Sequence, residues 1–387
     1  MGTQSEEQAL AESFSVGDKE SAGTDVPLTP PTRRSGHSLG PSLPTTIYFI
    51  VIAALLLGSI VIAIAVGSVS IAPAVVLRVL LSHVLPNGWV DTSGISDSQF
   101  AVVWFIRTPR VLVAALVGAA LSISGVQMQG LFKNPLASPD IVGTSAGGAL
   151  GAVIAIVSGM AARSTLYLPV CSFVGAFIAL FTVYFISTRH GRTPIATLLL
   201  AGVALSALIS ATTSFLLTMS WVRFDVAQEI IFWMLGGLDN RNWTHFWLAL
   251  PCVILGALIS LFYTRELDLL MMGEETAQSL GVEVEHVKRV ALTCAALLTG
   301  TAVAVSGVVG FVGLVVPHIV RLIIGPAHRQ LIPASALTGA CFLVLADLLA
   351  RTINPPQEFR LGIITAAFGA PFFLYLLLRH RRELGYV

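Results

Sequence analysis

Charged side chains are confined to short clusters along this chain, and the stretches between them carry none at all. Runs free of Asp, Glu, Lys and Arg cover 35–77, 111–132, 141–162, 164–188, 193–222, 242–264, 290–320, 330–346 and 361–378. A helix needs about 20 apolar residues to cross the hydrocarbon of a bilayer, so most of these runs are the size of one span. The 290–320 run is long for a single helix and is broken by Ser306-Gly307, Gly310, Gly313 and Pro317. Division near Gly307 gives two short helices, roughly 289–305 and 308–324. The segment 71–84 (IAPAVVLRVLLSHV) is too short to span and is expected to lie along the outer interface of the membrane.

Charge at the two ends decides between nine spans and ten. Arg33 and Arg34 precede the first span, and Arg379, Arg381 and Arg382 follow the last. Lys and Arg collect on the cytoplasmic side of membrane helices. Both termini are therefore expected in the cytoplasm, which requires an even number of crossings. The reading is an all-α polytopic membrane protein of about ten transmembrane helices. The same topology leaves Arg107, Arg110, Arg351 and several other arginines on the outer side.

Composition agrees. Of 387 residues 55% are hydrophobic and 11% charged, with a mean hydropathy of +0.84, whereas soluble domains carry roughly 25% charged residues. Lipid is the solvent for much of this chain. A net charge of +1 gives no basic surface for nucleic acid. Residues 1–44 are rich in Ser, Glu, Gly, Thr and Pro without apolar periodicity and read as a disordered cytoplasmic tail. Residues 45–382 form the ten-span domain, and 383–387 a short C-terminal tail. Cys171, Cys252, Cys294 and Cys341 sit singly in apolar stretches, without metal-ligand spacing. Gly143, Gly147 and Gly151 recur every four residues and predict a smooth face for close helix packing.

Little in the chain suggests chemistry of its own. It has no GxxxxGK[ST] loop to cradle phosphates, no Ser/His/Asp set and no metal-spaced histidines, so no cofactor is implied. His318 and Met128 read as packed core residues. A proton-coupled carrier would want acidic residues buried in mid-span, but Asp347 lies near a helix end and the spans hold almost no others.

Four stretches carry a resemblance. RTPRVLVAALVGAALSISGVQMQGLFKNPLASPDIVGTSAG (107–147), TLLLAGVALSA (197–207), MGEETAQSLGV (272–282) and GFVGLVVPHIVRLIIGPAHRQLIPASALTGA with LADLLAR (310–351) are similar, in order, to the FecCD family of ABC-importer permeases. The resemblance runs from about residue 46 to 380. It implies a permease domain that imports a ferric siderophore or haem, with cobalamin as the alternative substrate. It further implies a homodimer in the bacterial cytoplasmic (inner) membrane, two cytoplasmic ATPase subunits, and a periplasmic or lipid-anchored substrate-binding protein.

It also implies roles for particular residues. Arg107, Arg110 and Arg351 match arginines that dock acidic residues of the binding protein, and guanidinium suits bidentate contact with carboxylate. Asp347 is expected to pair with Arg351 one turn away. Asn134 and Leu136, in the proline-fixed turn FKNPLASP (132–139), match a cytoplasmic gate. The polar loop 265–289 matches a coupling helix pair seated in the ATPase, with Gly273, Glu274, Glu275, Leu280 and Gly281 at its centre. Gly281 is expected to cap the first of two short helices.

Overall fold

A computed structural model describes residues 45–67, 70–86 and 89–383; the expected N-terminal tail (1–44) and most of the C-terminal tail (383–387) lie outside them. The described residues are helical, with turns and one isolated β-bridge between Arg189 and Arg192. In chain order the helices are α1 (Thr45–Ala65), α2 (Pro73–Val84), α3 (Asp97–Leu131), α4 (Thr144–Val157), α5 (Tyr167–Ser187), α6 (Ile195–Met219) and α7 (Phe224–Met234). They continue with α8 (Trp243–Phe262), α9 (Thr264–Met271), α10 (Glu274–Ser279), α11 (Val284–Ser306), α12 (Val312–Ile324), α13 (His328–Thr352) and α14 (Leu361–Glu383).

Ten of these are the expected spans. Seven are long and apolar enough to cross by themselves (α1, α3, α5, α6, α8, α11, α13), and the shorter apolar helices α4 and α12 and the Leu361–Leu376 part of α14 fall on the other three runs. The long run divides where its glycines predict. α11 stops at Ser306, Gly307 takes φ +68, and α12 begins at Val312 after Phe311, itself at φ +68. α2 is a short apolar helix, as expected of an interfacial segment. Its His83 stacks on Trp104 of α3 at 3.5 Å, and the Trp243 indole N–H donates to the Trp104 carbonyl at 3.0 Å. Such an aromatic cluster is typical of the headgroup level.

The bundle has a centre and a periphery. α3 and α11 are each 78% buried over their most apolar window, whereas α6 is 17% and α1 22%. α3 runs through the middle, packed on α13, α11, α8 and α12. Small residues bring these backbones together: a Cβ at Gly118 would overlap the Gly339 carbonyl, and one at Gly125 would overlap that of Gly313. In a bilayer, where lipid tails are as apolar as leucine, such close approach is a main source of helix association. The α4 glycines behave likewise. Gly147 and Gly151 meet the α5 backbone at Gly175 and Cys171, while Gly143 serves instead as a left-handed cap at φ +82.

Candidate functional site

Charged side chains gather at the two ends of the bundle. One end carries Arg107, Arg110 and Arg351, the other the loops 132–139, 188–194 and 264–283. Thr45, at the start of α1, lies beside Gln330 at the loop end. The start of α14 pairs with the α7–α8 connection at the arginine end, through Leu361 N–H to the Gly236 carbonyl at 3.0 Å. α14 then runs away from the arginine end.

At the arginine end a π-helical turn, Val102–Arg107, widens α3 where it carries Arg107. The three expected docking arginines prove to have different surroundings. Arg107 is buried and donates to the carbonyls of Ile64 (2.8 Å) and Ala65 (3.0 Å). Arg351 is buried too, and donates to those of Ala63 (2.9 Å) and Val66 (3.3 Å). Between them they satisfy the last carbonyls of α1, which have no partner within their own helix. Arg351 also stands 3.2 Å from the Asp347 carboxylate, the expected one-turn pair.

Arg110 is the centre of an ionic cluster. Its guanidinium grips Asp347 (2.9 and 3.1 Å) and Glu358 (2.8 and 3.2 Å), with Asp239 at 3.8 Å and Arg360 paired to Asp239. Asp347 thus holds two arginines at once, which one-turn spacing in the sequence does not reveal. Beside this cluster a cavity of about 410 Å³ is lined by Asp225, Glu229, Trp233, Asp239, Arg241 and Arg360. Burial and the neighbouring Asp225 push the Glu229 carboxyl above its ordinary range.

At the loop end the turn after α3 is fixed. Lys133 takes φ +50, Asn134 N–H donates to the Gln129 carbonyl at 3.2 Å, and the Asn134 side chain accepts the Leu136 N–H at 2.9 Å. Asn134 is exposed and Leu136 half-buried, over an apolar cluster that holds Phe132, Ala137 and Leu198.

The 265–289 segment contains the expected pair of short helices, but they divide one helix earlier than the sequence suggests. Gly273, at φ +127, separates α9 from α10, so Gly281 (φ +85) caps the second short helix and not the first. The closure is a Schellman motif: Val282 N–H donates to the Ala277 carbonyl and Gly281 N–H to that of Gln278, both at 3.0 Å. Ala277 and Val282 also share a small apolar cluster with Leu270, Val284 and Val287.

Two ties fix this segment to the bundle. The Asp268 carboxylate accepts from His328 through the ring nitrogen (2.6 Å) and the backbone N–H (3.0 Å). Burial raises the Asp268 pKa, but the hydrogen bonds from His328 outweigh it and hold the carboxyl below its usual range. Lys288, buried at 4% exposure, binds Glu274 (2.8 Å), Glu285 (3.1 Å) and the Thr193 carbonyl (3.3 Å). Nothing in the sequence singles out Lys288. Among the described residues no three of His, Cys, Asp and Glu come together as metal ligands.

A ten-span helical membrane protein with a rigid polar helix pair at one end has the architecture of an ABC-importer permease, and comparison agrees. Residues 55–379 match the FecCD transport family, to which the chain belongs. It is 48% identical over 286 residues to the cobalamin import system permease protein BtuC of Halobacterium salinarum, covering 73% of this chain and 75% of that one. It is 42% identical over 294 residues to the hemin transport system permease protein HmuU of Yersinia pestis, covering 74% and 86%. A solved structure of a metal-chelate type ABC transporter in an inward-facing conformation superposes with a TM-score of 0.75 at 31% identity, over 87% of this chain and 100% of that one. The chain is therefore a permease of the importer family that serves iron chelates, haem and cobalamin.

Proposed function

We propose that this chain forms a homodimer in the cytoplasmic membrane, joined by two ATPase subunits, and imports an iron chelate, either a ferric siderophore or haem. The observation that carries the reading is the 264–283 segment. Two short helices, closed by two left-handed glycines and tied by Asp268 and Lys288, make a stiff projection and not a slack connection. That is the form expected of a seat for a motor subunit. Its surface would be offered by Gly273, Glu274, Glu275, Leu280 and Gly281.

In this reading the loop end faces the cytoplasm and the arginine end faces out. A binding protein delivers its ligand there, with Arg110 and its carboxylate partners as the docking surface. Arg107 and Arg351 support that surface from beneath while they hold α1. ATP-driven motion of the seat then changes the opening near Asn134 and Leu136. Cobalamin is the second reading, favoured by the 48% identity to an archaeal cobalamin permease.

The test is uptake in proteoliposomes that contain the permease, its ATPase and its binding protein. ATP-dependent accumulation of radioiron chelates or haem, but not of cobalamin, is expected. Accumulation of cobalamin alone would select the second reading. Loss of all three, with an ATPase that does not co-purify, would refute the importer assignment.

A further inference from the structure

We infer that Lys288 is a positioning residue, the pin that carries motion of the ATPase-facing helix α10 to both loops at the cytoplasmic mouth. The inference rests on the function proposed above and adds a route that neither the sequence nor the family match assigns.

An ammonium has three protons to donate, and Lys288 places one on its own helix and the other two on separate pieces of chain. One goes to Glu274 in the first turn of α10 and one to Glu285 in the first turn of α11. The third goes to the carbonyl of Thr193, two residues before α6. The other Glu285 oxygen accepts the Thr193 N–H at 3.0 Å, so both backbone groups of Thr193 are held by the start of α11. Thr193 itself is only 2% exposed.

The connection that Thr193 closes is stiff. Arg189 and Arg192 exchange two backbone hydrogen bonds of 3.0 Å across His190 and Gly191, which take φ +51 and +73. Two successive left-handed residues form a tight hairpin turn, a geometry with little freedom to flex. Displacement of α10 would therefore move this turn and the start of α6 with it. The third element is the gate loop, because Lys288, Thr193, Ile195 and Leu198 line one small cavity with Leu131 and Phe132, where the 132–139 turn begins.

Charge makes the pin obligatory. One ammonium stands between two partly exposed carboxylates, so its removal leaves two like charges beside the buried Thr193 backbone without their shared counter-ion. Such groups are costly to leave unpaired, and α10 would separate from the 189–193 turn.

The experiment uses the full transporter in nanodiscs. Spin labels are placed at Gln278 and Arg192, both exposed, with the half-exposed Cys171 and Cys252 changed to alanine. The wild type is expected to show one narrow distance with and without ATP. Lys288→Met is expected to broaden it or make it depend on nucleotide, and to lower uptake per ATP hydrolysed about tenfold or more, as when a buried charge network loses its hub. The triple variant Glu274→Gln, Glu285→Gln, Lys288→Met removes the residual charge, so it keeps the fold while lacking the pin, and should behave as Lys288→Met does. Lys288→Arg, which restores charge and donors, should recover part of the coupling. A narrow, nucleotide-independent distance in both Met variants, or wild-type uptake per ATP in either, would overturn the inference. Failure of the wild type to hold its ATPase would be read separately, by co-purification, and would overturn the seat itself.

Discussion

Replacement of Gly281 isolates the effect of one backbone conformation on coupling. A Cβ at this position would meet nothing within 4 Å, so steric clash contributes nothing and φ +85 is the whole constraint. An L-residue in the left-handed region costs roughly 1–2 kcal/mol, and a β-branched side chain is the least tolerated there. Asn visits that region readily. Gly281→Val should therefore weaken the closing turn of α10 by about 1–2 kcal/mol, which multiplies its locally open population about 5–30-fold. Gly281→Asn should cost a fraction of that. Because the turn is peripheral, thermal unfolding of the detergent-purified protein should stay close to wild type in both. Co-purification of the ATPase and ATP-driven uptake should fall in the order Gly, Asn, Val. Equal performance of Val and Asn would refute the reasoning, since the two differ chiefly in their tolerance of that φ.

Other perturbations address the remaining features. Asp347→Asn removes the carboxylate shared by Arg110 and Arg351, which keep Glu358 and the α1 carbonyls as partners, and should cost about 1–3 kcal/mol, read as a lower unfolding temperature in detergent. Gly125→Leu forces α3 off the Gly313 carbonyl of α12 and should cost about 1–3 kcal/mol or more, with poor recovery of folded protein from membranes. A cysteine in place of Leu136 should crosslink to its symmetry mate to different extents with and without ATP; equal crosslinking would mean the loop does not move. The Asp268 carboxyl is held below its usual range, so its contribution is complete above the ordinary pKa of about 3.9 and fades only as pH falls through the lower folded value. Coupling should thus be insensitive to this group between about pH 5 and 8, while Asp268→Asn should loosen α9 at every pH.

What the sequence discloses and what it conceals follow different physics. Spans are legible because lipid excludes charge, so the charge-free runs and their parity lead to ten crossings. The break at Gly307 is legible because glycine there relieves a backbone that most residues resist. The surroundings of the arginines are not, because the partners of Arg110 stand 237 and 248 residues away. Arginines at helix ends look alike whether they meet headgroups, a binding protein or the carbonyls of another helix. Gly281 was legible as a left-handed cap, but its helix was misplaced because Gly273, in a polar stretch, gave no separate sign of a break. Lys288 is hidden for the reason that makes it useful: two of its three acceptors, Glu274 and the Thr193 carbonyl, come from segments other than its own helix.

The grip of Arg107 and Arg351 on α1 also sets an order for synthesis. α1 precedes the other nine spans in the chain, and it packs loosely, at 22% burial. Its final carbonyls receive one arginine 43 residues later and the other only 288 residues later. Until α13 is made, the Ala63 and Val66 carbonyls lack the donor they hold in the finished protein. Buried helix-end carbonyls left without a donor cost about 1–3 kcal/mol each. A nascent chain cut before Arg351 should therefore leave α1 loosely held and open to membrane proteases, so the first span is secured only once α13 has been made.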